Sequence, residues 1–161
     1  MRSPRYSLGS IALHWLHAVL IVTLIYLGLS IDSLPNGPER SSTIALHKSF
    51  GVLAFLLVIV RLLWRHSNPA PQDARFSALQ QRLAHAGHHT LYLLLVLTPL
   101  AGYLSSSFTK YPMRVFGYAI PKLGWEDDRI NAFFNAAHSL CAWLLIALIC
   151  GHIAVVVLHH L

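Results

Sequence analysis

His138 and His152 lie fourteen residues apart within one long apolar run. At 100° per residue, that spacing puts them within about 40° of one helix face and roughly 21 Å apart along the axis. A neutral imidazole offers a nitrogen lone pair to a transition metal and is the commonest protein ligand for one. A single helix can therefore present a metal ligand at each of two depths. His14 and His47 stand near the starts of two earlier apolar runs. In an antiparallel bundle, His14 falls at the depth of His152 and His47 at the depth of His138. The four residues make two pairs on two levels.

The surroundings sharpen this reading. The chain has eleven histidines, yet 55% of its residues are hydrophobic and only 11% are charged. Polar groups at membrane depth are costly and usually face the bundle interior for a functional reason. Paired imidazoles on two levels point to bis-histidine ligation of two haems of the b type. Met1 and Met113 fall outside the apolar runs, which disfavours methionine ligation, and neither Cys141 nor Cys150 belongs to a C-x-x-C-H attachment motif. Nine positions apart on one helix, the two cysteines face opposite sides about 13 Å apart, which argues against a disulfide.

Other readings of these residues stay open. His17, one turn from His14, competes with it, and His159 at the membrane edge competes with His152, while His160 reads as interfacial. The run AHAGHH supplies His85, His88 and His89, either as a polar cap or in a proton or quinone-headgroup role. His85 and His89 have metal-ligand spacing but no obvious third partner. Gly51 and Gly151 beside the proposed ligands would admit a flat macrocycle or a neighbouring helix. Arg61 reads as a snorkelling anchor or a propionate partner.

These side chains need four spans to hold them, at about residues 11–31, 44–64, 83–104 and 130–158. The acidic segment from Asp32 to Arg40 predicts a turn, Pro69 and Pro71 forbid a continuous helix, and Pro99 predicts a kink in the third span. The Pro- and Gly-containing segment from Ser105 to Arg129 predicts a loop. The expected fold class is all-α, an integral membrane four-helix bundle over residues 1–161 as one domain, with membrane lipid around it. The apolar stretch after Arg2 and Arg5 exceeds a signal core and reads as a retained span.

The net charge of +6 comes from dispersed Lys and Arg, which argues against nucleic acid. Arg2, Arg5, Arg61, Arg65, Arg75 and Arg82 fall on one side, and Arg40, Lys48, Lys110, Arg114, Lys122 and Arg129 on the other. The tie is broken by the denser arginine clusters on the first side, opposed only by Asp73. Both termini are therefore expected in the cytoplasm, with the protein crossing the membrane several times.

The segments IALHWLHA, ALHKSFGVL with RLLWR, RLAHAGHHTLYLLL with TPLAGYL, and AAHSL with ICGHIAVVVLHH, in that order, resemble the bacterial di-haem cytochrome b561 family over almost the whole chain. The loop segment VFGYAIPKLG looks like that family's connection between its third and fourth helices. The resemblance implies haem-iron ligation by His14, His47, His138 and His152, the same four residues that depth matching selects. It also implies electron exchange with membrane quinone, and one branch of the family oxidises superoxide while reducing ubiquinone. The sequence ends at Leu161, where relatives commonly continue into a basic tail.

The expected function is a redox wire in which an electron passes from the His47–His138 haem to the His14–His152 haem and on to quinone. If superoxide is the donor, Lys110, Arg114 and Lys122 would attract the anion, with Glu126, Asp127 and Asp128 close by to offset them. The alternative is a non-catalytic subunit draining a hydrogenase, dehydrogenase or secreted cytochrome as its redox protein partner. A third reading is a haem sensor or carrier without turnover.

Overall fold

The computed structural model describes residues 6–69 and 77–160. Arg2, Arg5, Pro71, Asp73 and Arg75 lie outside the described residues, as do the side chains of His159 and His160. Four helices dominate: α1 (Leu8–Ser33), α2 (Pro38–Ser67), α3 (Ala78–Ser107) and α4 (Asp128–His160). All four are long and apolar enough to cross a membrane.

Each helix outruns its apolar run by a few residues, because polar capping chemistry, which hydropathy ignores, sets the ends. The Ser7 hydroxyl accepts from the Ser10 N–H at 3.2 Å, and Pro38 opens α2, where a missing N–H costs nothing. Ser77 and Gln80 form a reciprocal capping box on α3. One Asp127 carboxylate oxygen accepts from the N–H groups of Arg129 and Ile130, each at 3.0 Å, at the start of α4. The turn expected over Asp32 to Arg40 shrinks to residues 34–37, and α3 continues through Pro99. At 1.5 Å per residue, the 33 residues of α4 extend about 50 Å, well beyond the roughly 30 Å hydrocarbon layer.

The packing pattern reverses that of a soluble protein. On α1, Trp15, Val19, Val22 and Tyr26 are exposed, whereas His17 and Leu20 are buried. Ser49, Ala54, Ala101, Ser105, Ser106 and Ser107 supply much of the interior. Small residues let helix backbones approach closely where lipid removes any hydrophobic reward for burying large ones. α1 packs on α2, α2 on α3, and α3 on α4, whereas α4 stands off α1 and α2. Imidazoles bridge that standoff.

The long connection contains a small hairpin, β1 (Arg114–Val115) against β2 (Tyr118–Ala119), turned by Phe116 and Gly117 with positive φ. The hairpin docks on α2, where the buried Ser49 hydroxyl accepts from the Phe116 N–H at 2.9 Å and Phe50 meets Phe116 edge-on. The Tyr103 hydroxyl donates to the Pro121 carbonyl at 2.7 Å, and the Asn131 amide donates to the Ser105 carbonyl at 2.8 Å. Ser49→Ala should cost about 1 kcal/mol by removing the hairpin's hydrogen bond to α2. The check is a thermal melt of the detergent-solubilised protein, with an unchanged midpoint counting against the docking role.

Candidate functional site

Among the four helices, the positions that face one another recur at a constant interval of fourteen residues. On α1 they are His14 and Gly28, on α2 His47 and Arg61, on α3 His88 and Gly102, and on α4 His138 and His152. Because the helices alternate in direction, these positions gather into two levels about 21 Å apart. One level holds His14, Arg61, His88 and His152. The other holds Gly28, His47, Gly102 and His138. Contacts within each level bear this out.

At the second level, the His47 and His138 ring centroids are 5.9 Å apart across the standoff between α2 and α4. Nδ1 of His138 donates to the Thr98 carbonyl of α3 at 2.8 Å. That choice of tautomer leaves Nε2 with a free lone pair, the arrangement found in imidazoles that bind metals. The ring fits because Gly102 follows one turn later: a Cβ there would stand 3.0 Å from Nδ1 of His138. His47 mirrors this on α1, where a Cβ at Gly28 would stand 3.3 Å from its Cε1. Its Nδ1 lies near the Leu24 carbonyl, four residues before Gly28, without reaching hydrogen-bond geometry.

At the first level, the centroids of His14 and His152 are 6.4 Å apart, and His88 also approaches His152, at 5.8 Å. Arg61 donates through Nη2 to Nδ1 of His14 and through Nη1 to Nδ1 of His17, both at 3.3 Å. His17, the rival of His14, is only 1% exposed and meets Arg61, not His152.

Both imidazole pairs have the separation that one metal atom requires. Two metal–nitrogen bonds of about 2 Å, with roughly 1 Å from each ring centre to its nitrogen, put the centroids about 6 Å apart. Gly51, one turn after His47, and Gly151, next to His152, leave space beside the rings. A Cβ at either glycine would meet nothing within 4 Å, so close helix packing does not account for them, and a flat macrocycle could lie against the backbone there. The residues present fit a haem at each level.

The remaining candidates fall elsewhere. His89 Nδ1 donates to the His85 carbonyl at 2.7 Å, with both side chains exposed. Among the described residues, no three His, Cys, Asp or Glu side chains form a metal-binding group. Cys141 and Cys150 are free thiols. In the loop, the Lys122 ammonium donates to the Thr109 carbonyl at 2.5 Å and Lys110 lies over the Tyr111 ring. Of the three loop cations, two therefore already have local partners.

Residues 5–161 match the family described as Prokaryotic cytochrome b561. "Cytochrome b561 homolog 2" of Escherichia coli (strain K12) is 33% identical over 165 residues, covering 97% of this chain and 85% of that protein. "Probable superoxide oxidase CybB" of Yersinia pestis is 25% identical over 157 residues, covering 97% of this chain and 89% of that protein. With four membrane-length helices, imidazoles paired on two levels and a match over nearly its full length, the chain belongs to the prokaryotic cytochrome b561 family of membrane electron-transfer proteins carrying b-type haem.

Proposed function

We propose that the chain is a di-haem oxidoreductase that takes electrons from superoxide and delivers them to membrane ubiquinone. The observation that carries the di-haem part is the pair of imidazole couples, 5.9 and 6.4 Å apart, on two levels of one bundle. His47 and His138 would hold one haem iron, and His14 and His152 the other. When bound, each haem supplies a reversible one-electron couple. The chain's own part is ligation, orientation and exclusion of water. Thr98 fixes the tautomer of His138, Gly28 and Gly102 seat the two rings, and the apolar helices keep solvent from the levels.

The choice of superoxide draws support from the name of the Yersinia pestis relative. With both termini in the cytoplasm of a bacterial inner membrane, the hairpin loop faces the periplasm and the His47–His138 level lies beneath it. Lys110 and Arg114 would then meet the anion first. The overall reaction balances as two superoxide anions, one quinone and two protons giving two dioxygen and one quinol.

The test is to supply the purified, haem-loaded protein with enzymatically generated superoxide, with and without ubiquinone. Superoxide loss should exceed spontaneous dismutation only when quinone is present, with one quinol formed per two superoxide consumed. No quinone-dependent loss, in a protein whose haems a redox partner still reduces, would replace this reading with that of a non-catalytic electron-transfer subunit.

A further inference from the structure

The two levels share one geometry but differ in what surrounds the paired imidazoles. At the His47–His138 level the two remaining helices contribute Gly28 and Gly102, and at the His14–His152 level they contribute Arg61 and His88. The His47–His138 level thus has glycine backbone against its rings, with Lys48 beside His47 in the chain, whereas the His14–His152 level has a permanent cation in hydrogen-bond contact with one of its imidazoles, since a guanidinium stays protonated in proteins.

Three helices hold that cation. Its own helix, α2, carries it; His14 and His17 on α1 accept from its two Nη atoms; and Tyr92 on α3 lies beneath it, with the ring centre 5.3 Å from Cζ. Iron binding through Nε2 of His14 would put that ring's proton on Nδ1 and end its contact with Arg61, so His17 and Tyr92 would keep the charge in place, which gives the fully buried His17 a role. Asp32, Glu39, Glu126, Asp127 and Asp128 all sit at the opposite end of the bundle. Asp73 lies outside the described residues.

We propose that Arg61, held by His17 and Tyr92, makes the haem bound between His14 and His152 easier to reduce than the haem bound between His47 and His138. The proposal rests on the di-haem reading above. Adding one electron removes one unit of positive charge from the bound cofactor, so a fixed cation beside it favours the reduced form. Low dielectric and distance from salt keep that effect from being screened. At the other level, His138 donates its Nδ1–H to a carbonyl, which makes the imidazole a stronger donor to iron and favours the oxidised form. Both differences act in the same direction. Arg61 acts as a positioning residue for charge and not as a catalytic one.

The experiment is a redox titration of the haem-loaded full chain, following each centre by its optical and low-temperature magnetic signals. Arg61→Gln should shift the reduced-to-oxidised ratio of the His14–His152 centre at least about tenfold toward oxidised at a fixed ambient potential, equal to about 59 mV for a one-electron couple. The other centre should move by less than about twofold, and Arg61→Lys should restore most of the loss, because it keeps the charge. Both haems retained with no shift, or with equal shifts, would overturn the proposal alone.

If Arg61→Gln loses haem, the single-haem chains His138→Ala and His152→Ala decide the matter. The centre left in His138→Ala must be the easier one to reduce, and the reverse order overturns the proposal. A parent chain with no low-spin haem at His14 and His152 would overturn the underlying reading and this proposal with it.

Discussion

His138→Ala should bind about half the haem of the parent chain, and His152→Ala should lose the other half, each change deleting a different low-spin signal. Each iron would be held by side chains on two different helices, so removing one imidazole would leave a single protein ligand. His138 and His152 share α4 but face different partners, with ring centroids 5.9 Å from His47 and 6.4 Å from His14. The two losses should therefore be independent, as expected for sites about 21 Å apart with no shared contacts. Haem quantification with magnetic spectra reads the result. Adding free imidazole to His138→Gly should restore the low-spin signal that chain lacks, and adding it to His152→Gly should restore the other. If both substitutions deleted the same signal, the two-level arrangement would be wrong.

The sequence made the helices legible because four apolar runs without internal acidic residues have few other folds open to them. Their ends were less legible. Ser7, Asp127 and the Ser77–Gln80 box extend helices by hydrogen bonding, and that signal is weaker than hydropathy and easily passed over. The hairpin at 114–119 was hidden for a different reason: its two short strands are held by the Ser49 contact to a helix more than sixty residues earlier. No local pattern encodes such a contact.

The site followed the same division. The His138–His152 interval by itself marks two ligand depths on one helix, and the identical interval occurs on the other three helices. Across all four helices that interval singles out Gly28, Arg61, His88 and Gly102 as the partners at each level. Why glycine occupies two of those positions needed coordinates, because only they bring the imidazole of a neighbouring helix against the missing Cβ. Arg61 was read as either an anchor or a propionate partner, and its fork onto His14 and His17 depends on the register between α1 and α2. Register between antiparallel helices is set by side-chain packing and not by the pattern of either helix alone.

Gly102→Val should remove the His47–His138 haem while leaving the His14–His152 haem in place. A methyl at position 102 would already lie 3.0 Å from Nδ1 and 3.2 Å from Cε1 of His138, tighter than ordinary contact. Gly102→Ala can be absorbed by a small ring displacement that lengthens the 2.8 Å hydrogen bond to Thr98, and it should weaken haem retention without abolishing it. Valine adds two more methyls and has few rotamers in a helix, so the ring must leave its position, at an overpacking cost of about 1–3 kcal/mol. Alanine should meanwhile raise the intrinsic stability of the helix by up to about 1 kcal/mol. A variant that melts later yet holds less haem would separate seating of the ring from general stability. Gly51 supplies a second test, since a Cβ there would meet no protein atom within 4 Å. The protein's own packing leaves room for the methyl of Gly51→Ala, so haem loss from that change would put the macrocycle against that turn of α2. Full retention would mean that the ring plane lies elsewhere between His47 and His138.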